Sequence, residues 1–433
     1  VSPSGSKSLA RTSRIVLPEP DGDTFTITSF TQPATGSVSI NDNGTPDDPT
    51  DDKLVYKPNN NVTNDAVIEQ SNVTGGIFSL LGNQQLPSTD SFSYTVTDSN
   101  GNEKTATVDL NVQDTVKLKF TLDNNNADWR NEVGIFKVDD AAGTINGIAP
   151  GQPGYVEAAL SSGKVIFSAL SQNSQLFGQS PTRIIDSFSS SDNLGFFLVQ
   201  NSTADAVLAG DNATVIFGTA SANGDQFQNL NAAQIASGQF TLNWEDTTGG
   251  GDQDFNDLSL SVETTAEDAP LGSALQGSQN RELIDITETN SAVTSTQKVI
   301  ATMEVFGDSD FNNIAGLYRI TDETGAVIDS VTGQTFNPGD QGYAEAAMRQ
   351  SMGQFSEDDN GATITLDGDA LYAPYLLANG STDNIYFAFL GANSDGADHI
   401  RLLGDNTFGF EDLRGGGDES FDDLVVKMNL TIS

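Results

Sequence analysis

The chain of 433 residues contains no cysteine and a single histidine, His399. The first absence removes disulfides, thiolate metal sites and cysteine nucleophiles together. With one imidazole, the Ser/His and Cys/His nucleophilic machineries and His-rich zinc sites are excluded as working readings. Basic residues are few: 19 against 60 acidic ones, a formal charge of −41. Such a field repels nucleic acid and anionic membranes and favours solubility and cation uptake. No apolar run approaches the ~18 residues needed to span a bilayer, so no membrane insertion is expected. A start at Val1 without a signal peptide reads as a processed mature end or a cut boundary.

What is present is β-like. TFTITSF (24–30), GSVSIN (36–41), SFSYTVTD (91–98) and TATVDLNV (105–112) alternate apolar and polar residues and are rich in β-branched and aromatic side chains. Turn clusters such as DSNGN separate them, the spacing of a β-sandwich. The 24 phenylalanines suffice to nucleate cores, which argues against disorder. Helical signals are confined to GYVEAAL (154–160) and GYAEAAMRQ (342–350), about two turns each.

Those two segments expose an internal repeat. NEVGIFKVDDAAGTI (131–145) parallels NNIAGLYRITDETGAVI (312–328), and PGQPGYVEAAL (150–160) parallels PGDQGYAEAAM (338–348). FTLNWEDTTGGGDQDFNDLSLSV (240–262) parallels FGFEDLRGGGDESFDDLVVKM (408–428), in the same order. The expected division is a basic N-terminal extension (1–20), a first β-domain (21–113), two homologous β-domains (114–265 and 280–433), and a linker (266–279) between them. The fold class is all-β: three sandwich-type domains in tandem with short helices only. The extension carries Lys7, Arg11 and Arg14 and no acid before Glu19. It reads either as the first strand of its own domain or as a donor strand for the sheet edge of a neighbouring subunit.

The two closing loops carry the chemistry. Candidate metal ligands are Glu245, Asp246, Asp252, Asp254, Asn256 and Asp257 in the first copy, and Glu411, Asp412, Asp418, Asp422 and Asp423 in the second, where Ser420 replaces Asp254. Hard cations such as Ca²⁺ take six to eight oxygen ligands, and carboxylates, amides and backbone carbonyls supply them. Closely spaced carboxylates repel unless a cation or protons intervene. The competing reading is an Asx-rich turn after a glycine bend. An EF-hand is refused, because Asp257 stands where its invariant glycine belongs and LSLSVE reads as a strand. Glu157 and Glu345 are further candidates, held even with exposed helix glutamates. His399 reads as a surface or strand residue, and Asn223–Asp225 and the NSDG segment at 393–396 read as turns. Trp244 reads as core, and Trp129 as exposed.

Residues 21–113, through DGDTFTITSFTQPATGSVSINDNGTPDDPTDDKLVYKP and DSFSYTVTDSNGN, resemble the bacterial cadherin-like or immunoglobulin-like repeats of secreted adhesins. The duplicated domains resemble the bacterial domain-of-unknown-function family four-one-one-four, through the GYxEAA segment and the closing GGGDxDFND. That resemblance implies extracellular or cell-surface proteins with β-rich folds and calcium sites, and no established activity. The expectation is therefore a non-enzymatic, calcium-stabilised extracellular protein, a subunit of a surface layer or matrix fibre assembled by self-association. The alternative is an adhesin or carbohydrate-binding module with glycans as partners. A carboxylate-based glycosidase lacks one acid set in apolar surroundings across a cleft from another.

Overall fold

A computed structural model describes residues 7–9, 13–15, 25–34, 36–42, 47–50, 52–58, 69–80, 90–112, 116–170, 178–277, 282–287, 293–307 and 309–433. They are mostly β-strands, with three short α-helices among the described residues. The chain forms two compact units.

The first unit is built from residues up to 66 and from 82–116, with 187–190. One sheet runs in the order Lys7–Leu9, Glu103–Val112, Asp90–Asp98, Phe25–Phe30; a second joins Ser13–Ile15, Lys53–Pro58 and Gly36–Asn41. Val38, Leu54 and Tyr56 from the second sheet meet Phe92, Tyr94 and Leu110 from the first in one core, as alternation on each strand requires. Within the extension, residues 7–9 pair in parallel with 110–112, and 13–15 pair antiparallel with 54–56, both in the same chain. The rest of the extension, and part of the acidic hairpin loop at 41–52, lie outside the described residues.

The second unit holds both copies of the repeat, and each copy is a sandwich of two sheets with a helix against one face. In the second copy the outer sheet includes Lys298–Phe306, whose burial alternates as befits one wet face. The inner sheet includes Leu371–Leu377, buried at every position, because the partner sheet covers one face and the helix Tyr343–Arg349 the other. The first copy repeats the plan: Asn193–Val199 is the inner strand, buried at every position after Asn193, and Tyr155–Ser162 the covering helix. Both helices start behind a glycine, Gly154 or Gly342, at φ 87° and 97°, and both anchor by a tyrosine whose hydroxyl donates to the carbonyl of Gly143 or Gly325 at 2.8 Å. The GYxEAA segments are thus the two predicted short helices. Glu157 and Glu345 are exposed on them.

In the segment 266–277, read as a linker, Ala266, Glu267, Asp268 and Pro270 are exposed, but residues 271–277 are packed. Gln276 is fully buried; its amide donates to the carbonyl of Leu283 and the side chain of Asn406, both at 2.8 Å. Arg183 of the first copy donates to Gln276 at 3.2 and 3.1 Å and lies 3.6 Å from Asp405 of the second. A buried guanidinium with its carboxylate partner ties the copies through this segment.

One element has no counterpart in the sequence reading. In chain order, Val73–Thr74 and Ile77–Ser79 fall between strands of the first unit, yet they form a hairpin in the inner sheet of the first repeat. Its two-residue turn is Gly75-Gly76, with φ of 54° and 84°, the left-handed pair that a tight hairpin demands. Ser79 and Phe78 pair with Asn193 and Leu194. Phe78 lies edge-on to Phe196 and Phe240 at 5.2 Å each, and Ile77 joins the core beneath the helix. In the second copy the corresponding edge is filled by Ile284–Asp285, which pairs with Tyr372 and Leu371.

Candidate metal centre

Each acid loop connects two neighbouring antiparallel strands. In the first copy these are Gln239–Trp244 and Leu258–Thr264, with Trp244 opposite Leu258; in the second they are Thr407–Phe410 and Leu424–Ile432, with Phe410 opposite Leu424. That register brings Glu245 and Asp257 face to face as the chain enters and leaves the loop, and Glu411 and Asp423 likewise. The acids at the two ends of the motif converge because the ladder ends there.

Between them the backbone follows an unusual path, the same in both copies. Gly249, Gly250, Gly251, Gln253 and Phe255 all have positive φ, and so do Gly415, Gly416, Gly417, Glu419 and Phe421. Non-glycine residues held in the left-handed region cost on the order of 1 kcal/mol each. The surroundings that hold them are visible. Phe255 N–H donates to Glu245 Oε1, and Phe421 is buried beneath the Arg401 guanidinium, 4.3 Å from its ring centre. The third glycine leaves room for the glutamate carboxylate. A Cβ on Gly417 would stand 1.9 Å from Glu411 Oε1, and one on Gly251 would stand 2.9 Å from Glu245 Oε2.

Two acidic clusters could hold a metal ion. Glu245, Asp252 and Asp254 each offer an oxygen within 4.8 Å of the others, and so do Glu411, Asp412 and Asp423. Candidates inside and outside these clusters also shape the loop. Asp257 Oδ2 accepts from Asp246 N–H at 2.9 Å, and Asp423 Oδ2 from Asp412 N–H at 2.8 Å. Asp246 accepts from the Asn131 amide at 2.7 Å. Asn256 donates its backbone N–H to Asp254 at 3.1 Å. Asp418 accepts from Ser420 N–H at 3.0 Å, and Asp422 from the Ser420 hydroxyl. The two copies therefore gather different subsets of the same acids.

Glu245 and Glu411 stand apart. They are 0 % and 1 % exposed, and in each the buried Oε2 atom accepts no N–H or O–H from the protein; the Glu411 carboxyl has only the Asp423 carboxyl to share a proton with. A bare carboxylate oxygen away from water is costly. Burial pushes the Glu411 carboxyl up to about 8, and the Asp423 charge adds to the push. Glu245, Asp257 and Asp423 are also raised, each chiefly by burial. In metal-free protein, then, Glu411 stays protonated across a window where the unfolded chain, titrating near 4.5, has lost the proton. The folded state binds more protons there, so stability falls as pH rises from about 4.5 to 8. Metal-free protein is expected to show a melting temperature that declines over pH 5–8, and Glu411→Gln to flatten that decline in a pH series of thermal melts.

Several residues that build the site escaped the sequence reading. Asp225 and Asp395 accept the amide of the first glycine, at 2.5 Å for Gly249 and 2.9 Å for Gly415, so the NGD and NSDG segments brace the loops. Asn229 Nδ2 donates to the carbonyls of Glu245 and Thr247 at 2.9 and 2.8 Å. His399 holds the matching place: its Nδ1 lies 2.7 Å from the Glu411 carbonyl and its Nε2 3.1 Å from Asp395. It is fully buried and stacked on Tyr386, which corrects its reading as a surface residue. Asn313 donates to Asp412 at 2.6 Å, as Asn131 does to Asp246, so Asn131 corresponds to Asn313 rather than Asn312. Repetition of an Asp and an Asn at matched places in both copies was the available signal.

Comparison with known proteins finds two family models along the chain. Residues 7–111 match the family model described as Bacterial Ig domain, and residues 188–265 and 358–431 match that described as Domain of unknown function (DUF4114). Each DUF4114 match includes one acid loop. A bacterial Ig domain fits a surface or secreted protein. No curated protein matches the chain. Among solved structures, SGBP-B of the Bacteroides ovatus mixed-linkage glucan utilization locus, in complex with a mixed-linkage heptasaccharide, aligns at 11% identity over 86% of this chain and 96% of that one. Its TM-score of 0.14 carries no argument about fold or ligand.

Proposed function

We propose that this chain, with one bacterial Ig domain and two copies of DUF4114, is a non-enzymatic extracellular building block stabilised by Ca²⁺ in both acid loops. The observation that carries the reading is the matched pair of orphaned, buried oxygens, Glu245 Oε2 and Glu411 Oε2. A cation supplies what each lacks. The donor set is all oxygen, which suits a hard cation and not zinc or copper. Glu245, Asp252 and Asp254 would hold the ion in the first copy, and Glu411, Asp412 and Asp423 in the second. Loop carbonyls complete the shell, with Asp246, Asn256, Asp257, Asp418 and Asp422 close at hand. Bound calcium would replace the proton on Glu411 and offset repulsion in a chain of charge −41. The chain would then associate with copies of itself in a surface layer or matrix fibre.

Thermal unfolding with millimolar Ca²⁺ and with chelator tests this. Ligand at a hundredfold its dissociation constant adds about 2.7 kcal/mol per site, so the midpoint should rise clearly with Ca²⁺. Mg²⁺, which needs a tighter octahedral shell, should act more weakly. Equal midpoints with and without Ca²⁺ would remove the calcium reading. Light scattering and electron microscopy of the intact protein test association separately.

A second reading has its own observation. Trp129 and Phe311 are 38 % and 40 % exposed in the segments leading to Asn131 and Asn313, beside the acid loops. Exposed aromatic rings near a metal are suited to stacking on sugar rings. Glycan-array binding by the monomer, lost on Trp129→Ala, would favour an adhesin.

A further inference from the structure

We propose that the hairpin of residues 69–80 is exchanged between copies of this chain, so that the inner-sheet edge of one first repeat accepts the hairpin of another. The inference rests on the self-association proposed above and names the surface through which it occurs.

The accepting surface is the open side of a sandwich. On one sheet, Asn193 and Leu194 receive Ser79 and Phe78, Leu80 N–H donates to the Asp192 carbonyl at 2.8 Å, and the Ser79 hydroxyl donates to Asn193 at 2.6 Å. On the other sheet the end strand is Leu230–Ala236. There Gln70 and Gln234 exchange reciprocal bonds between backbone N–H and side-chain oxygen at 2.9 and 3.0 Å. Glu69 accepts from Gln234 at 2.7 Å and from Ser237 at 2.9 Å. Twelve residues thus close both sheet edges while Phe78 and Ile77 fill the core beneath them. Gly76 fits so closely that a Cβ there would lie 1.8 Å from the Gly218 carbonyl oxygen.

The source of this closing element is what points to exchange. In the second copy the same edge is served by residues 284–285, a few positions ahead of the domain they complete. In the first, the hairpin comes from between two strands of the Ig domain, Lys53–Pro58 and Asp90–Asp98. By sequence count, ten residues separate Pro58 from Glu69 and nine separate Leu80 from Asp90, a reach of up to about 30 Å on each side. Every contact made by the hairpin is available unchanged from a second copy, which is why exchange of an identical element is a low-cost route to association. One donated hairpin per chain and one accepted makes a head-to-tail contact, and such a contact propagates when its rotation does not close.

The absence of native cysteine gives a direct test. Ser79→Cys with Asn193→Cys places two thiols at paired positions of the ladder, suited to a disulfide. The full-length variant is assembled with Ca²⁺, oxidised, denatured and run on a non-reducing gel. Exchange predicts a ladder of covalently linked chains from assembled material, and a single band with an internal bridge from unassembled monomer. Assembly with internal bridges only overturns the exchange and leaves the calcium-stabilised building block intact. A chain that stays monomeric with and without Ca²⁺ overturns exchange and self-association together. Glu69→Cys with Ser237→Cys, at the other end of the hairpin and joined by a short bis-maleimide in place of oxidation, must give the same pattern and guards against local disruption by the first pair.

Discussion

Replacing Phe78 by alanine is expected to destabilise the first repeat by about 3–5 kcal/mol, although this residue lies outside the segment that any repeat-based reading would assign to it. The side chain is 1 % exposed and wedged between Phe196 of one sheet and Phe240 of the other. Truncation loses its transfer free energy and leaves a cavity beneath a two-stranded hairpin. Of the neighbouring rings, Phe196 also packs edge-on against Phe120 at 6.5 Å. At roughly 2–4 °C per kcal/mol for domains of this size, the repeat should melt about 10 °C lower. Calorimetry of full-length protein reads this, with Trp129→Ala as an exposed control that should stay within ~0.5 kcal/mol. A Phe78→Ala protein melting with the wild type would mean that the hairpin contributes nothing to the repeat.

The second large effect concerns the metal. Glu245→Gln with Glu411→Gln should abolish the Ca²⁺-dependent rise in melting temperature, a loss of about 3 kcal/mol or more at saturating ion. Without calcium the same variant should be as stable as the wild type, or more so. Gln keeps an oxygen to accept from Phe255 N–H in the first copy, while removing a carboxylate that burial and Asp423 oppose in the second. This opposite behaviour in the two conditions separates a ligand from a structural glutamate. A purely structural residue would cost stability equally with chelator and with Ca²⁺. Isothermal titration of the two single variants would then assign one site to each loop.

How far the sequence reached follows from the range of the contacts. The strands were legible because alternation is local, and the duplicated domain because its landmarks recur in order. The acid loop was legible for the same reason: Glu245, Asp252 and Asp254 lie within ten residues, and one hairpin register brings them together. Its bracing was not. Asn131 reaches Asp246 across 115 positions, and Asn313 reaches Asp412 across 99. His399 looked like a polar surface residue because a lone imidazole in DGADHI carries no pattern. Its burial comes from stacking on Tyr386, which the short strand Ile385–Phe387 presents thirteen positions earlier. The packed character of 271–277 was hidden by composition: small and polar residues resemble a linker, yet Gln276 spends its polar atoms on Arg183, Leu283 and Asn406. The hairpin was the largest omission. NVTGGIFS holds a two-residue Gly-Gly turn between short β-like runs, and that signal could have placed a hairpin. Nothing local could have said which sheet it would join.

That hairpin also bears on the order in which the protein is made. A ribosome delivers Glu69 long before Gln234, which stands 165 positions later, so the closing piece of the first repeat exists before its acceptor does. Until residues 193–264 emerge, the apolar Ile77 and Phe78 have no core to enter. The second repeat faces no such wait, because residues 283–286 arrive directly ahead of it. Contacts of such long separation form slowly, and nascent chains with unpaired strand edges are prone to capture one another. If hairpins are exchanged as proposed, the interval between synthesis of the hairpin and completion of its sheet is when a neighbouring copy competes best for it.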